Sequence, residues 1–176
     1  MKKIITILGR TGAGKDFIAR QLSDLLNIPM IVSYTTRPIR ENEVNGREHW
    51  FITKEKMEIK KQSAIAYTQI GEYEYCVSDT DLKDVNIYVI DPKGLNDLKK
   101  LNYDLYTVYV FARSTIRHMR ATEIRKDNLE VFDKRDSAED DMFTKYEESG
   151  AWNDLYVNEY WYDNTDFVGK IKNFLK

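Results

Sequence analysis

The chain has 176 residues, 42% of them hydrophobic and 32% charged, with 27 Lys+Arg against 29 Asp+Glu and a formal net charge of −2. That suits one compact domain with a highly charged surface, and it excludes the bulk positive field by which proteins hold duplex nucleic acid. A single cysteine, Cys76, and two histidines exclude an intrachain disulfide and a metal centre built on several thiolates or imidazoles.

Taken in order, the chain alternates strands and helices. Lys3–Leu8 is a β-branched apolar run stopped by Gly9, the pattern of a buried parallel strand. A helix is predicted over Phe17–Leu26, with Ile18, Leu22 and Leu25 on one face, and a second short strand over Ile28–Val32. Val85–Ile90 and Leu105–Phe111 read as further core strands. Between them Pro92–Leu101 opens with a proline suited to a first helical turn. Helices are expected at about Thr115–Glu123 and Ser137–Glu148, a last strand at Glu159–Tyr162, and a final helix carrying Phe167, Ile171 and Phe174 with Thr165 as its N-cap. The alternation breaks over Tyr34–Leu82. There extended segments at Glu48–Thr53, Ala64–Ile70 and Glu72–Val77, with a short helix near Lys54–Lys60, predict a small, partly β lobe inserted into the core.

No apolar run reaches the roughly 18 residues of a membrane span. The apolar start Ile4–Leu8 is too short for a signal peptide and runs straight into a glycine loop. The expected setting is therefore cytoplasmic, away from any membrane, with the protein a monomer or homodimer.

The first motif with chemistry is Gly9-Arg10-Thr11-Gly12-Ala13-Gly14-Lys15-Asp16, a G-x-x-x-x-G-K loop with a predicted strand before it and an amphipathic helix, from Phe17, after it. Glycines let the backbone curl so that successive N–H groups face one anion, the helix N-terminus adds its positive end, and Lys15 brings a full charge to the β- and γ-phosphates. These residues, with Phe17, form the candidate ATP site. Asp16 stands where a Ser or Thr hydroxyl normally ligates Mg²⁺. A carboxylate is a hard oxygen ligand that suits the metal, directly or through water; it equally suits the first turn of a helix without meeting any metal.

The second motif follows the second predicted strand: Ser33-Tyr34-Thr35-Thr36-Arg37-Pro38-Ile39-Arg40-Glu41-Asn42-Glu43-Val44-Asn45-Gly46. Two arginines three apart, at the end of a parallel strand, are placed to fork onto a phosphate. This run, with Phe51 downstream, resembles the acceptor-binding segment of the guanylate kinase family, and the resemblance extends over nearly the whole chain. It implies an α/β fold: a parallel-sheet P-loop kinase core (1–33 and 84–176), a small inserted NMP-binding lobe (34–83) and a helical lid (about 114–136). It further implies that Ser33 contacts guanine, that Arg37, Arg40 and Tyr75 hold the acceptor phosphate, that Glu43 orients the arginines, and that Asp91 faces the base. His49 stands where the family usually places a phosphate-binding tyrosine. Ala66 and Val77 fall, without gaps, where the family has a glutamate and a serine that read the base, leaving Glu72 or Glu74 as substitutes only in a shifted register. Arg120, Arg125 and Arg135 fall in the lid, where positive charge gathers around a moving phosphoryl group, and Asp163 and Asn164 form a polar turn beside the adenine.

What the resemblance implies is ATP-dependent phosphorylation of a nucleoside monophosphate, GMP or dGMP foremost, with Mg²⁺ as cofactor and small-molecule nucleotides as partners. A kinase for another nucleotide or a sugar phosphate, and a non-catalytic binding module of the same shape, stay open at this point.

Overall fold

The chain runs β1 (Lys3–Leu8), α1 (Lys15–Leu26), β2 (Tyr34–Thr35), β3 (Trp50–Phe51), α2 (Lys54–Lys61), β4 (Ala64–Ile70), β5 (Tyr73–Ser78), β6 (Val85–Val89), α3 (Pro92–Leu98), β7 (Asp104–Phe111), α4 (Ser114–Met119), α5 (Leu129–Ser149), β8 (Asp154–Val157) and α6 (Phe167–Leu175). The computed structural model describes residues 1–41, 43–124, 126, 128–159 and 166–176.

Four strands form a parallel sheet in the order β6-β1-β7-β8. The central position of β1 explains its composition: a strand flanked on both sides and covered on both faces has no room for alternation. Ile5, Ile7, Ile87, Val108 and Val110 face α1 and α6, packing on Ile18, Ala19, Leu22, Phe167 and Ile171. Ile4, Leu8, Tyr88 and Tyr109 face the other way, onto Leu95 and Leu98 of α3 and Phe143 and Tyr146 of α5. The result is a sheet between two helical layers. The second sheet is built within the inserted segment, in the order β3-β2-β5-β4, with β4 and β5 antiparallel. Met57 of α2 is fully buried, with its sulfur 3.4 Å from Cys76 Sγ of β5.

Four expected elements differ. Ile28–Val32 is not a strand; only Met30 bridges Ile87. Pro29 carries no N–H to donate to a ladder, and Ile31 turns inward to the core instead. The last strand is Asp154–Val157, earlier than Glu159–Tyr162; Glu159 follows it, and Tyr160–Tyr162, with Thr165, lie outside the described residues. The helix expected from Ser137 begins two turns sooner, at Leu129, where the Asn128 side chain accepts the Glu130 N–H. The helix expected to Glu123 closes instead on a π-helical turn, Arg120–Ile124. Among the described residues no helix is long and apolar enough to cross a membrane.

Candidate functional site

The loop between β1 and α1 sits at the carboxyl end of the central strand. Gly9 is required by space: a Cβ there would meet the Val110 carbonyl oxygen at 2.3 Å. Gly14 is required by conformation, since it enters α1 with φ +96° and a Cβ would strike the Asn158 amide at 2.3 Å. Lys15 Nζ donates to the Arg10 carbonyl at 3.2 Å, folded back over its own loop. Asp16 and Phe17 follow in the first turn of α1, both exposed to the cleft.

The rest of the loop is held from outside. The Arg10 side chain leaves it for α5, where it pairs with Glu147 at 2.9 Å and with Asp140. Buried Arg117 donates to the Thr11 carbonyl at 3.0 Å and pairs with Asp136 of α5. The Thr11 N–H goes to buried Glu139, 3.0 Å away on α5. The Ala13 carbonyl accepts from Arg120 at 3.2 Å and from Asn158 at 2.8 Å, and Arg120 also donates to the Asn158 carbonyl at 2.7 Å.

Across the cleft stands the arginine-bearing wall. Arg37 is only 7% exposed, and its guanidinium makes a bidentate pair with Glu43 at 2.8 and 2.9 Å. The Phe51 ring lies 5.4 Å from its central carbon. Arg37 Nε is buried without a hydrogen-bond partner. The same Glu43 accepts the Arg40 backbone N–H at 2.9 Å, which curls the loop and brings the Arg40 guanidinium 3.9 Å from the carboxylate. Burial raises the Glu43 carboxyl, but the hydrogen bonds and charges of Arg37 and Arg40 outweigh it, leaving the pKa below the ordinary range. Ser33 Oγ is 2.9 Å from His49 Nδ1, and the His49 ring packs edge-on against Phe51 and Tyr75. Burial, reinforced by Arg37, lowers the His49 pKa to about 4, so the imidazole is neutral at physiological pH.

Ala66, Tyr88 and Ile90 give the cleft an apolar part; Val77 does not line it but is buried in the same core cluster. Asp91 caps α3, accepting the Lys93 and Gly94 N–H groups at 2.9 and 3.0 Å, and burial raises its carboxyl above the usual range. Thr68 is buried beside it; its hydroxyl has no hydrogen-bond partner, although it stands near enough to Asp91 to offset part of that rise. Glu74 does not take over base reading, because its carboxylate is held by Lys61 and by the Tyr67 hydroxyl at 2.7 Å, away from the cleft.

These walls enclose about 750 Å³. Lys15, Asp16, Ser33, Arg37, Arg40, Glu43, His49, Tyr75, Asp91, Arg120 and Arg135 all line it, whereas Gly9, Arg10 and Ala13 do not. Burial lowers the Arg135 pKa, but Glu139, with smaller contributions from Tyr75 and Asp16, outweighs it and raises the guanidinium further above its usual range. Arg125, Asp163 and Asn164 lie outside the described residues. Sequence reasoning passed over Glu139, Arg117, Asn158 and Thr68. Glu139 alone left a signal, as an acidic residue one helical turn after Arg135.

A glycine-rich loop at the end of a central parallel strand thus faces, across one cleft, the arginines that follow β2, the arrangement of a P-loop fold with an inserted β lobe. The sequence profile described as guanylate kinase matches residues 1–175, and the chain belongs to that family. It is 29% identical over 129 residues to a guanylate kinase of Blochmanniella floridana, a match covering 65% of this chain and 61% of that protein. It is 25% identical over 170 residues to a guanylate kinase of Sus scrofa, covering 88% of this chain and 84% of the other. The first of these matches therefore spans less than two thirds of the relative's length. In fold, the chain is similar to a crystal structure of guanylate kinase from Anaplasma phagocytophilum, with a TM-score of 0.67 at 20% identity over 99% of this chain and 84% of that one.

Proposed function

We propose that the protein transfers the γ-phosphoryl group of ATP to a nucleoside monophosphate, with GMP and dGMP the leading acceptors, in a cytoplasmic setting. The observation that carries this reading is the shared cleft: Lys15 on one wall, the buried Arg37–Glu43 pair on the other, and Arg135 electrostatically coupled to both sides. A buried guanidinium held by one carboxylate, with Nε unpartnered, is suited to a second anion.

In this reading residues 34–83 form the acceptor lobe and residues of about 114–136 the lid. ATP rests its phosphates on the loop from Gly9 to Phe17, where Lys15 swings from the Arg10 carbonyl onto the β- and γ-phosphates. Arg37, Arg40 and Tyr75 hold the acceptor phosphate. Ser33, fixed against His49, and Asp91 address its base. An acceptor phosphate oxygen attacks the γ-phosphorus in line, and the bond to the β–γ bridging oxygen breaks, with its electron pair leaving on ADP. No general base is needed, because the attacking phosphate is already largely ionised near neutral pH. Arg120 and Arg135, and Arg125 from the same lid, spread positive charge over the transferring group.

Among the described residues no three His, Cys, Asp or Glu side chains are grouped to hold a metal by themselves. That fits a Mg²⁺ ion carried in with the nucleotide, for which exposed Asp16 supplies one hard oxygen at the mouth of the loop. Bound there, the ion would supply positive charge that offsets the repulsion between the Asp16 carboxylate and the phosphates of the nucleotide.

The test is a coupled ADP-release panel with ATP and each ribo- and deoxynucleoside monophosphate. Turnover led by GMP and dGMP is expected. No acceptor-dependent ADP release with any of them removes the reading.

A further inference from the structure

Glu139 stands one turn beyond Arg135 on α5 and is 2% exposed. Its two oxygens serve two different donors. Oε2 accepts the Thr11 backbone N–H at 3.0 Å, and Oε1 accepts the Arg135 Nε–H at 2.9 Å. A carboxylate this deeply buried is strongly disfavoured unless both of its oxygens are engaged, and here both are. The contact to Thr11 has a counterpart: Arg117, paired with Asp136 of the same helix, donates to the Thr11 carbonyl at 3.0 Å. Both backbone polar groups of Thr11, its N–H and its carbonyl, are therefore held by side chains on α5 or paired to it.

Arg135 is the other half of the arrangement. Its Nε is tied to Glu139 and its side chain lines the cleft, as do Tyr75 and Asp16, both close enough to act on the guanidinium. One carboxylate thus sets two things at once, the shape of the loop at Thr11 and the aim of the arginine that spans the cleft.

We propose that Glu139 is a positioning residue for phosphoryl transfer, acting through Arg135 and the Thr11 backbone N–H. The proposal rests on the kinase reading. Its chemical core is that two N–H donors converge on one side chain. A glutamine offers one acceptor oxygen and one N–H₂ group, so it satisfies one donor and confronts the other. Glu139→Gln, though nearly isosteric, should release either the arginine or the loop.

The experiment uses the full chain, with ATP and GMP as substrates and ADP as the binding probe. In Glu139→Gln, kcat is expected to fall about 100-fold, the cost typical of a misplaced catalytic group, while KM for GMP stays within about threefold, since that wall is untouched. ADP affinity by calorimetry is expected to fall about tenfold as the loop loosens. In an Arg135→Ala background, Glu139→Gln should lower kcat no further than about threefold, because residues acting as one unit are not additive. An unchanged kcat, or full and independent losses in the double variant, overturns the proposal. If Glu139→Gln does not fold, Glu139→Asp keeps the charge but is one methylene short of spanning both donors, and the same kcat loss is required of it. If the unaltered protein turns over no acceptor at all, the kinase reading falls. Glu139 is then judged on ADP affinity alone, and equal affinities in the two proteins overturn it.

Discussion

Ser33 and His49 meet on the acceptor wall, Oγ to Nδ1 at 2.9 Å, and this contact puts a titratable ring where it cannot easily be charged. Asp16, Glu43, Arg37 and Arg135 all act on that ring, the two carboxylates raising its pKa and the two guanidiniums lowering it; burial decides the outcome, at about 4. The unfolded chain titrates near the ordinary value of 6.5. Between these two values the unfolded state binds more protons than the folded one, so stability falls as the pH drops from about 6.5 towards 4. Urea unfolding measured across that window should show the loss, and His49→Phe should remove much of it. A variant that keeps the same slope would mean that another group carries the effect.

Arg37 and Glu43 should behave as a unit. With Arg37 holding the acceptor phosphate as proposed, Arg37→Ala should cost on the order of 1.5–3 kcal/mol in GMP binding, with ATP affinity little changed. Glu43→Gln leaves Arg37 buried without its counter-charge and frees the Arg40 N–H, so it should lower thermal stability as well as GMP affinity. Titration calorimetry with each nucleotide, beside melting curves, separates the two. An equal loss of ATP and GMP binding in Arg37→Ala would place the arginine on the wrong substrate.

Lys15→Ala should abolish transfer and leave the fold intact. Lys15 donates to a carbonyl of its own loop and forms no part of either core. Melting temperature and ADP release, measured on the same preparation, check both halves of the statement. Full turnover in a folded variant contradicts the role given to this residue.

How far the sequence was legible follows from what each signal depends on. β1, α1, β4 and β7 appear close to where their patterns put them, because short apolar runs and helical stripes are local properties. Ile28–Val32 failed because a β-branched composition does not reveal that a proline interrupts the ladder. The lid helix was expected to start late because Asp133, Lys134 and Arg135 carry no apolar stripe. Phe132 alone, 3% exposed, anchors the earlier turns. In the cleft, Lys15, Arg37 and Glu43 lie in linear motifs and could be read in order. Glu139, Arg117 and Asn158 reach the phosphate loop from more than 100 residues away in sequence, and only the folded chain brings them together.

The base end of the cleft gives the sharpest expectation about specificity. Ala66, 3% exposed, lines the cleft along with Asp91, while Val77 is fully buried and does not reach it, so neither position offers the base a hydrogen-bonding side chain. Apolar pockets discriminate weakly between analogues, whereas groups built to hydrogen-bond reject a base that lacks the matching donor. With two such groups replaced, the preference for GMP over AMP and IMP should be looser, by about tenfold for each missing contact. Glu72 is not among the cleft residues and Glu74 is turned to Lys61, so neither restores it. Ala66→Glu tests the wall directly. Space is limited, since a Cβ on Gly94 of α3 would already lie 3.8 Å from that of Ala66. The new carboxylate must therefore reach into the cleft or suffer burial. If it reaches, kcat/KM for GMP rises relative to AMP and IMP, and a bound guanine nucleotide restores the melting temperature that the charge costs. The measurement is kcat/KM for GMP, dGMP, AMP and IMP in both proteins, with melting curves with and without GMP. Strong rejection of AMP and IMP by the unaltered protein, with no change in Ala66→Glu, would shift the base contacts away from β4 altogether.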